Sequence, residues 1–380
     1  MEYKSKLPNL PTSIFAVMSK LAADHKALNL SQGFPNFKSD PLLFELVNKA
    51  MNDGFNQYAP MAGDIGLREA ISQKTASLHH KTYHPDTEIT VTVGATQAIF
   101  TIIAAIINKG DEVIIFTPAY DCYDPAIKLF GGSTIPVQLK APNYKVDWNE
   151  VEAKVTYKTK LIIINTPHNP SGVIFSEEDM LQLQRIAEKH DLLVLSDEVY
   201  EHIIFDGNIH FSAARFPALA SRSFITASFG KTFHNTGWKM GYCLAPEYLM
   251  KEFKKVHQFN VFSVNSPMQR ALGEYLATPN HYLGLSAFYQ QKRDLFIDLI
   301  KDSRFKIIPS NGTYFQMLDF SEISQESDIA FTERLTKEQK IATIPTSVFN
   351  TNNEDFKQIR VCFAKTEETL VSAANILNAI

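Results

Sequence analysis

Lys231 stands in an unusual setting. It occupies the Gly/Ser-rich turn of Ala227-Ser228-Phe229-Gly230-Lys231-Thr232-Phe233-His234-Asn235-Thr236-Gly237-Trp238-Lys239, directly after the apolar run Phe224–Thr226, whereas most lysines lie on solvated faces. An amine held at the edge of a buried sheet gives up its proton more readily and can attack a carbonyl, the Schiff-base role. A loop lysine facing solvent is the plainer local reading. Asp197 ends the run Leu192-Leu193-Val194-Leu195-Ser196-Asp197-Glu198-Val199-Tyr200, at the carboxyl end of a strand, where open α/β sheets bind ligands. A buried carboxylate needs a cationic partner, and a protonated pyridine nitrogen would suit; an N-cap is an equally good local reading. Asn169 sits in Asn165-Thr166-Pro167-His168-Asn169-Pro170-Ser171-Gly172, which is ordinary turn chemistry unless its amide meets a ring oxygen beside the first two residues. In Val93-Gly94-Ala95-Thr96-Gln97 a small-residue turn opens a helix, an anion site suited to a phosphate monoester, with Ser228 and Lys239 converging on it. Simple helix capping is the alternative there. Arg360, in Gln358-Ile359-Arg360-Val361-Cys362-Phe363, alternates with apolar neighbours, so a strand puts Val361 and Phe363 on one face and Arg360 on the other. Local sequence alone makes it a surface arginine.

These residues depend on elements that the pattern predicts. Apolar runs at Glu88–Val93, Glu112–Phe116, Leu161–Ile164, Leu192–Leu195 and Phe224–Thr226 read as strands covered on both faces. Helical patterns lie between them at Thr96–Asn108 and Ser176–Lys189, the latter with a Ser176 cap and acids in its first turn. Such alternation predicts an α/β domain with a mostly parallel sheet. After about residue 245 the character changes: helices over Leu249–Phe259 and Pro267–Ile300, a strand-turn-strand over Phe305–Asp319, a helix Ile329–Glu338, a strand Ile359–Phe363 and a closing helix Glu367–Ile380. This predicts a smaller α+β domain. The Pro- and Asn-punctuated first 40 residues fit either part.

Composition narrows the function class. The 380 residues carry 37 Lys+Arg against 41 Asp+Glu, a net charge of −4, so neither nucleic acid nor an anionic membrane is an expected partner. Cys122, Cys243 and Cys362 form neither a disulfide framework nor a metal motif. The N-terminus has no signal-peptide core, and the longest apolar stretch, Ala98–Asn108, is about half of what a bilayer needs; a cytoplasmic location is expected. GxxxxGK[ST], a GxGxxG after the first strand, and GxSxG are all missing. His80 and His84 precede Pro85 and lack the HExxH glutamate, so they read as a solvated loop, and no metal is expected.

The order Asn-Pro-x-Gly, Asp-x-x-Tyr, Ser-x-x-Lys, a further basic residue and a C-terminal arginine carries more than any one motif. The chain resembles the class I/II, fold-type I aminotransferases that depend on pyridoxal 5'-phosphate (PLP), over essentially its whole length. Asn29-Leu30-Ser31-Gln32-Gly33-Phe34-Pro35, Asn56-Gln57-Tyr58-Ala59-Pro60, Asp121-Cys122-Tyr123 and Lys231-Thr232-Phe233 are similar to the subgroup of bacterial methionine and kynurenine–glutamine aminotransferases. The resemblance implies a fold-type I architecture: a large domain with a mostly parallel seven-stranded sheet sandwiched by helices, and a smaller α+β domain. It divides the chain into an N-terminal arm (1–44), a PLP-binding domain (45–275) and a C-terminal domain (276–380).

It also implies roles. Lys231 would form the internal aldimine and move the proton between Cα and C4′. Asp197 would keep the pyridine nitrogen protonated, and Asn169 and Tyr200 would bond the 3′-oxygen. Tyr120 would stack on the ring. Ala95, Thr96, Gln97, Ser228 and Lys239 would hold the phosphate, with Tyr58 reaching it from the partner of a homodimer. Lys239 stands where many relatives outside the subgroup carry arginine. Gly33 would leave room beside the substrate carboxylate, Arg360 would take that carboxylate, and Phe15, where relatives have tryptophan, would line the side-chain pocket. Asn169 and Tyr58 would also border the substrate. His234 reads as packing. The expected activity is transfer of an amino group from an apolar, aromatic or amide amino acid to a 2-oxo acid. β-Elimination from cysteine conjugates is the rival on the same scaffold, since both begin with Cα deprotonation; a non-enzymatic regulator on this fold is disfavoured by the lack of a DNA-binding module.

Overall fold

The structure is a computed structural model and describes residues 4–380. Seven strands form its main sheet: β1 (Ile89–Thr92), β2 (Glu112–Thr117), β3 (Ser133–Gln138), β4 (Thr159–Asn165), β5 (Leu193–Asp197), β6 (Ser223–Ser228) and β7 (Gly241–Leu244), in the order β1-β7-β6-β5-β4-β2-β3. All pairs are parallel except those of β7, which runs antiparallel to both β1 and β6. The continuous apolar runs have the cause anticipated for them. Val113, Ile115, Leu161, Ile163 and Phe224 face one buried layer with Ile99, Ile102 and Ile103 of the helix Gly94–Ile106. Their neighbours Ile114, Phe116, Ile162, Ile164 and Ile225 face the other. With both faces covered, alternation disappears from the sequence.

Two strands of the main sheet were not anticipated. β3 contains Pro136 and lies at the sheet edge, where proline is tolerated. β7 is four residues long and begins with Gly241. The helix over Glu177–Lys189 starts as expected, with Ser176 and Asp179 closing a capping box. The single helix expected over Pro267–Ile300 is corrected. It divides into Ser266–Leu276, Asn280–Leu283 and Leu285–Ile300, interrupted around Pro279 and at Gly284, residues that break helical hydrogen bonding and favour turns.

A second sheet is antiparallel: β8 (Lys306–Ile307), β9 (Phe315–Asp319), β10 (Ile344–Pro345) and β11 (Gln358–Cys362), in the order β10-β11-β9-β8. β11 is therefore internal, and Arg360 lies opposite Met317 and Ile344. The N-terminal stretch joins this part. Leu28–Asn29 pairs in parallel with Ile341–Ala342, and the Cys362 N–H donates to Leu30 O at 2.9 Å. The chain thereby runs from the second sheet to the carboxyl ends of β4, β5 and β6.

Candidate active site

Parallel pairing places the ends of β4 and β5 in register, Asn165 beside Asp197 and Asp197 beside Thr226, with Ser228 ending β6. A cavity of about 320 Å³ opens there, and Arg360 of the second sheet reaches it from the opposite side. A larger cleft of about 1020 Å³ between the sheets is lined instead by Tyr144, Ser171, Ser310 and Gln358 and holds neither Lys231 nor Asp197.

Asp197 is 3% exposed. Its carboxylate accepts from Tyr123 Oη at 2.5 Å and from the Val199 N–H at 3.4 Å. These donors only partly offset burial, which pushes the acid up to about 6. Lys231 Nζ donates to Gly33 O at 3.0 Å and lies 5.8 Å from the Tyr200 ring centroid and 5.5 Å from that of Tyr314. Burial is the main cause that takes this amine down to about 8. Among the described residues, no carboxylate pairs with Lys231 and no cation with Asp197. Both border the same cavity. Asn169 is aimed by its neighbours: its N–H donates to Asn165 Oδ1 at 2.7 Å, while Asn165 Nδ2 donates to Asp197 O at 2.9 Å. Tyr200 is buried edge-on to Tyr314, and burial pushes its phenol up. Tyr120 Oη lies 3.3 Å from Thr96 Oγ1, and its phenol is raised for the same reason.

The far end of the cavity is a cradle built by missing side chains. Gly94 has φ +70°, a conformation that favours glycine. A Cβ on Gly241 would lie 2.6 Å from Ala227 O and 3.0 Å from Gly94 Cα, and a Cβ on Gly94 would meet Lys239 Nζ at 3.7 Å. β6, β7 and the Gly94 turn thus approach backbone to backbone, with Ala95, Thr96, Ser228 and Lys239 around the opening.

Arg360 is 1% exposed. Nη1 donates to Asn169 Oδ1 at 2.7 Å and Nη2 to Ser31 O at 3.2 Å, while buried Nε has no partner among the described residues. Its guanidinium lies 3.8 Å from the Phe315 ring centroid, 5.3 Å from that of Phe15 and 5.7 Å from that of Phe349. Gly33 is required beside it, because a Cβ there would come 2.8 Å from Phe315 Cζ.

Twelve of the expected site residues therefore border one cavity: Phe15, Gly33, Ala95, Thr96, Tyr120, Asn169, Asp197, Tyr200, Ser228, Lys231, Lys239 and Arg360. Two do not. The Gln97 side chain turns back, accepting from the Val93 N–H at 3.0 Å and donating to Thr101 Oγ1 at 2.6 Å. Tyr58 is 82% exposed, with its ring edge-on to Phe262. His234 packs, bonded to Tyr289 Oη at 2.8 Å between the rings of Phe37 and Phe288. Sequence reasoning assigned no role to Tyr123, Asn165, Gln32, Tyr314 or Phe315. Asn165 carried a usable signal, a polar residue ending an apolar run just as Asp197 does. Tyr314 and Phe315 reach the site only through the second sheet.

The aminotransferase class I and II family matches residues 25–377. The chain belongs to the class I and II aminotransferases. It is 47% identical to the methionine aminotransferase of Escherichia coli over 99% of this chain and 98% of that one, and 34% identical to human kynurenine–oxoglutarate transaminase 3 over 98% and 89%. A crystal structure of an E. coli protein with a reported methionine aminotransferase function superposes with a TM-score of 0.98 over the whole of both chains, at 47% identity. Family members use PLP, and the donor set here fits it. Among the described residues Asp197 is a buried carboxylate paired with no cation and Lys231 a buried amine paired with no anion, and the glycine cradle with Lys239 suits a phosphate. Among the described residues no group of three or more His, Cys, Asp or Glu is placed to hold a metal ion, and no helix is long and apolar enough to cross a membrane.

Proposed function

We propose that this aminotransferase takes an apolar, aromatic or amide-bearing amino acid, methionine-like in the first instance, as donor to a 2-oxo acid. The observation that carries the reading is Arg360: a fully buried guanidinium that, among the described residues, has no partner for Nε and no carboxylate partner, with three aromatic rings around it. A planar fork matches the α-carboxylate that every donor shares, and the rings of Phe15, Phe315 and Phe349 beside it give the neighbouring space an apolar wall. The names of the methionine and kynurenine relatives point the same way.

PLP, when bound, supplies a carbonyl for the amino group and an electron sink for the pair left on Cα. In this reading Asp197, aimed by Tyr123, would hold a proton on the ring nitrogen. Asn169 and Tyr200 would donate at the ring oxygen, and Tyr120 would cover a ring face. Ala95, Thr96 and Gln97 offer backbone N–H groups at a helix start, with Ser228 and Lys239, to the phosphate. Lys231, already depressed to about 8, is the base that moves the Cα proton. Arg360 and Gly33 set the carboxylate, and Phe15 borders the donor side chain.

A homodimer belongs to the same reading, because Tyr58 does not line its own cavity and is exposed, with its ring against that of exposed Phe262. A cytoplasmic location belongs to it too. So does the division at residues 1–44, 45–275 and 276–380: the seven strands lie in the middle stretch and the four-stranded sheet in the last. The test is a panel of amino donors scored by 2-oxo acid formation with the PLP-loaded protein and its Lys231→Ala variant. Methionine, aromatic residues and glutamine should exceed aspartate, and the variant should lose both turnover and near-visible absorbance. Wild-type turnover by the variant, or preference for aspartate, would refute the reading.

A further inference from the structure

The segment Ser31–Asn36 is laid along Arg360–Thr369 by an uncommon set of bonds. Three cations grip its backbone carbonyls. Arg360 Nη2 donates to Ser31 O at 3.2 Å, Lys231 Nζ to Gly33 O at 3.0 Å and Lys365 Nζ to Phe34 O at 2.8 Å. Tyr314 Oη adds a bond to Gly33 O at 2.6 Å, and Asn36 Oδ1 accepts from the Thr366 N–H at 2.7 Å. Lys365 is 3% exposed, pairs with no carboxylate among the described residues, and lies 4.9 Å from the Phe34 ring centroid. An ammonium buried without a counter-ion is costly. Its one hydrogen bond is spent on the residue after Gly33.

We propose that Lys365 is a positioning residue for the substrate carboxylate, acting through the Gly33–Phe34 backbone. The proposal rests on the aminotransferase reading above. Of the three cationic grips, the one from Lys231 is temporary, because that amine must engage a carbonyl and carry a proton. The Lys365 grip has no such duty and stays. What it holds is the backbone against Phe315: the missing Cβ of Gly33 would sit 2.8 Å from Phe315 Cζ, and that ring stacks on Arg360 at 3.8 Å. A slip of Gly33 therefore moves the wall that aims the guanidinium and weakens its hold on the carboxylate equally before and during the reaction, a loss of uniform binding that raises KM and leaves kcat. The consequence falls on the part shared by every α-amino acid, not on the side chain.

The test compares Lys365→Met and Lys365→Arg in the PLP-loaded enzyme, with hydrogen exchange of residues 31–37 in both the PLP-free and loaded chains. Loss of a bond to a charged group predicts that Lys365→Met raises KM for methionine, phenylalanine and glutamine by a common factor of about tenfold or more. kcat should stay within about threefold, and the bound-PLP spectrum should not change. Exchange should quicken in residues 31–37 and not in β4–β6, and Lys365→Arg should recover most of the KM. If Lys365→Met does not fold, Lys365→Gln replaces it under the same criteria. An unchanged KM, unchanged exchange in residues 31–37, or an arginine variant as impaired as the methionine one would overturn the proposal. If the wild type transaminates no donor, the function reading fails on its own, and the exchange arm still decides the role of Lys365.

Discussion

Among the described residues neither Asp197 nor Lys231 forms an ion pair that would offset its burial, and this sets a measurable cost. A carboxyl raised from 3.8 to about 6 holds its proton more tightly in the folded chain than in the unfolded one. Keeping it ionised therefore lowers stability by ~3 kcal/mol at pH 8, and the cost fades as pH falls through about 6 toward 3.8. Asp197→Asn should raise the thermal midpoint of the PLP-free protein, more at pH 8 than at pH 5. The same change should lower kcat/KM of the loaded enzyme by about one to two decades, since a charge-assisted bond is worth ~1.5–3 kcal/mol. Thermal scans at the two pH values and donor kinetics check both halves. A variant that is less stable at pH 8, or active within about twofold of wild type, would count against the assignment. At this scale the sequence was informative where a residue broke a pattern: a lysine after a buried strand, an acid at a strand's end. Tyr123 was harder to assign, because a tyrosine in a helical stretch carries no sign that its hydroxyl meets a carboxylate from β5.

Elements were readable in proportion to how local their causes are. The helix Glu177–Lys189 starts where Ser176 can cap it, and the buried strands announce themselves by Ile and Val. Pro136 disguised the edge strand β3, and four residues of β7 fell below any periodic signal, although β7 is what seats the glycine cradle. The interruption around Pro279 was written in the sequence and overridden by apolar spacing on either side of it. The cradle itself gives a prediction at this scale. Gly241→Ala adds a methyl 2.6 Å from Ala227 O, so β7 must shift away from β6 and the Gly94 turn. Overpacking of this kind costs ~1–3 kcal/mol. Thermal melts should fall accordingly, and PLP titrations should show weaker binding. Unchanged PLP affinity would mean that the close approach does not shape the phosphate end.

At the scale of the whole molecule, the proposed function has two sheets supply the two ends of one reaction. Lys231 and Asp197 come from the seven-stranded sheet, Arg360 and Phe315 from the four-stranded one, and the stretch from Leu28 to Asn36 links them. The division into two sheets followed from the change of pattern near residue 245. The return of the N-terminal stretch onto Ile341–Ala342 did not, because two-residue pairing leaves no trace in spacing. Exposed Tyr58 leads to a solution prediction: light scattering should give twice the chain mass, and Tyr58→Ala should weaken PLP binding without unfolding the chain. A fully active monomer would contradict that. The central claim is that Arg360 receives the α-carboxylate of every donor while the other sheet holds the reacting amine. Arg360→Lys tests it most directly, because lysine keeps the charge and loses the fork. Steady-state kinetics over methionine, phenylalanine, glutamine and aspartate should show kcat/KM lowered by a similar factor for all four, with the bound-PLP absorbance intact; loss of PLP binding, or an effect confined to one donor, would contradict it.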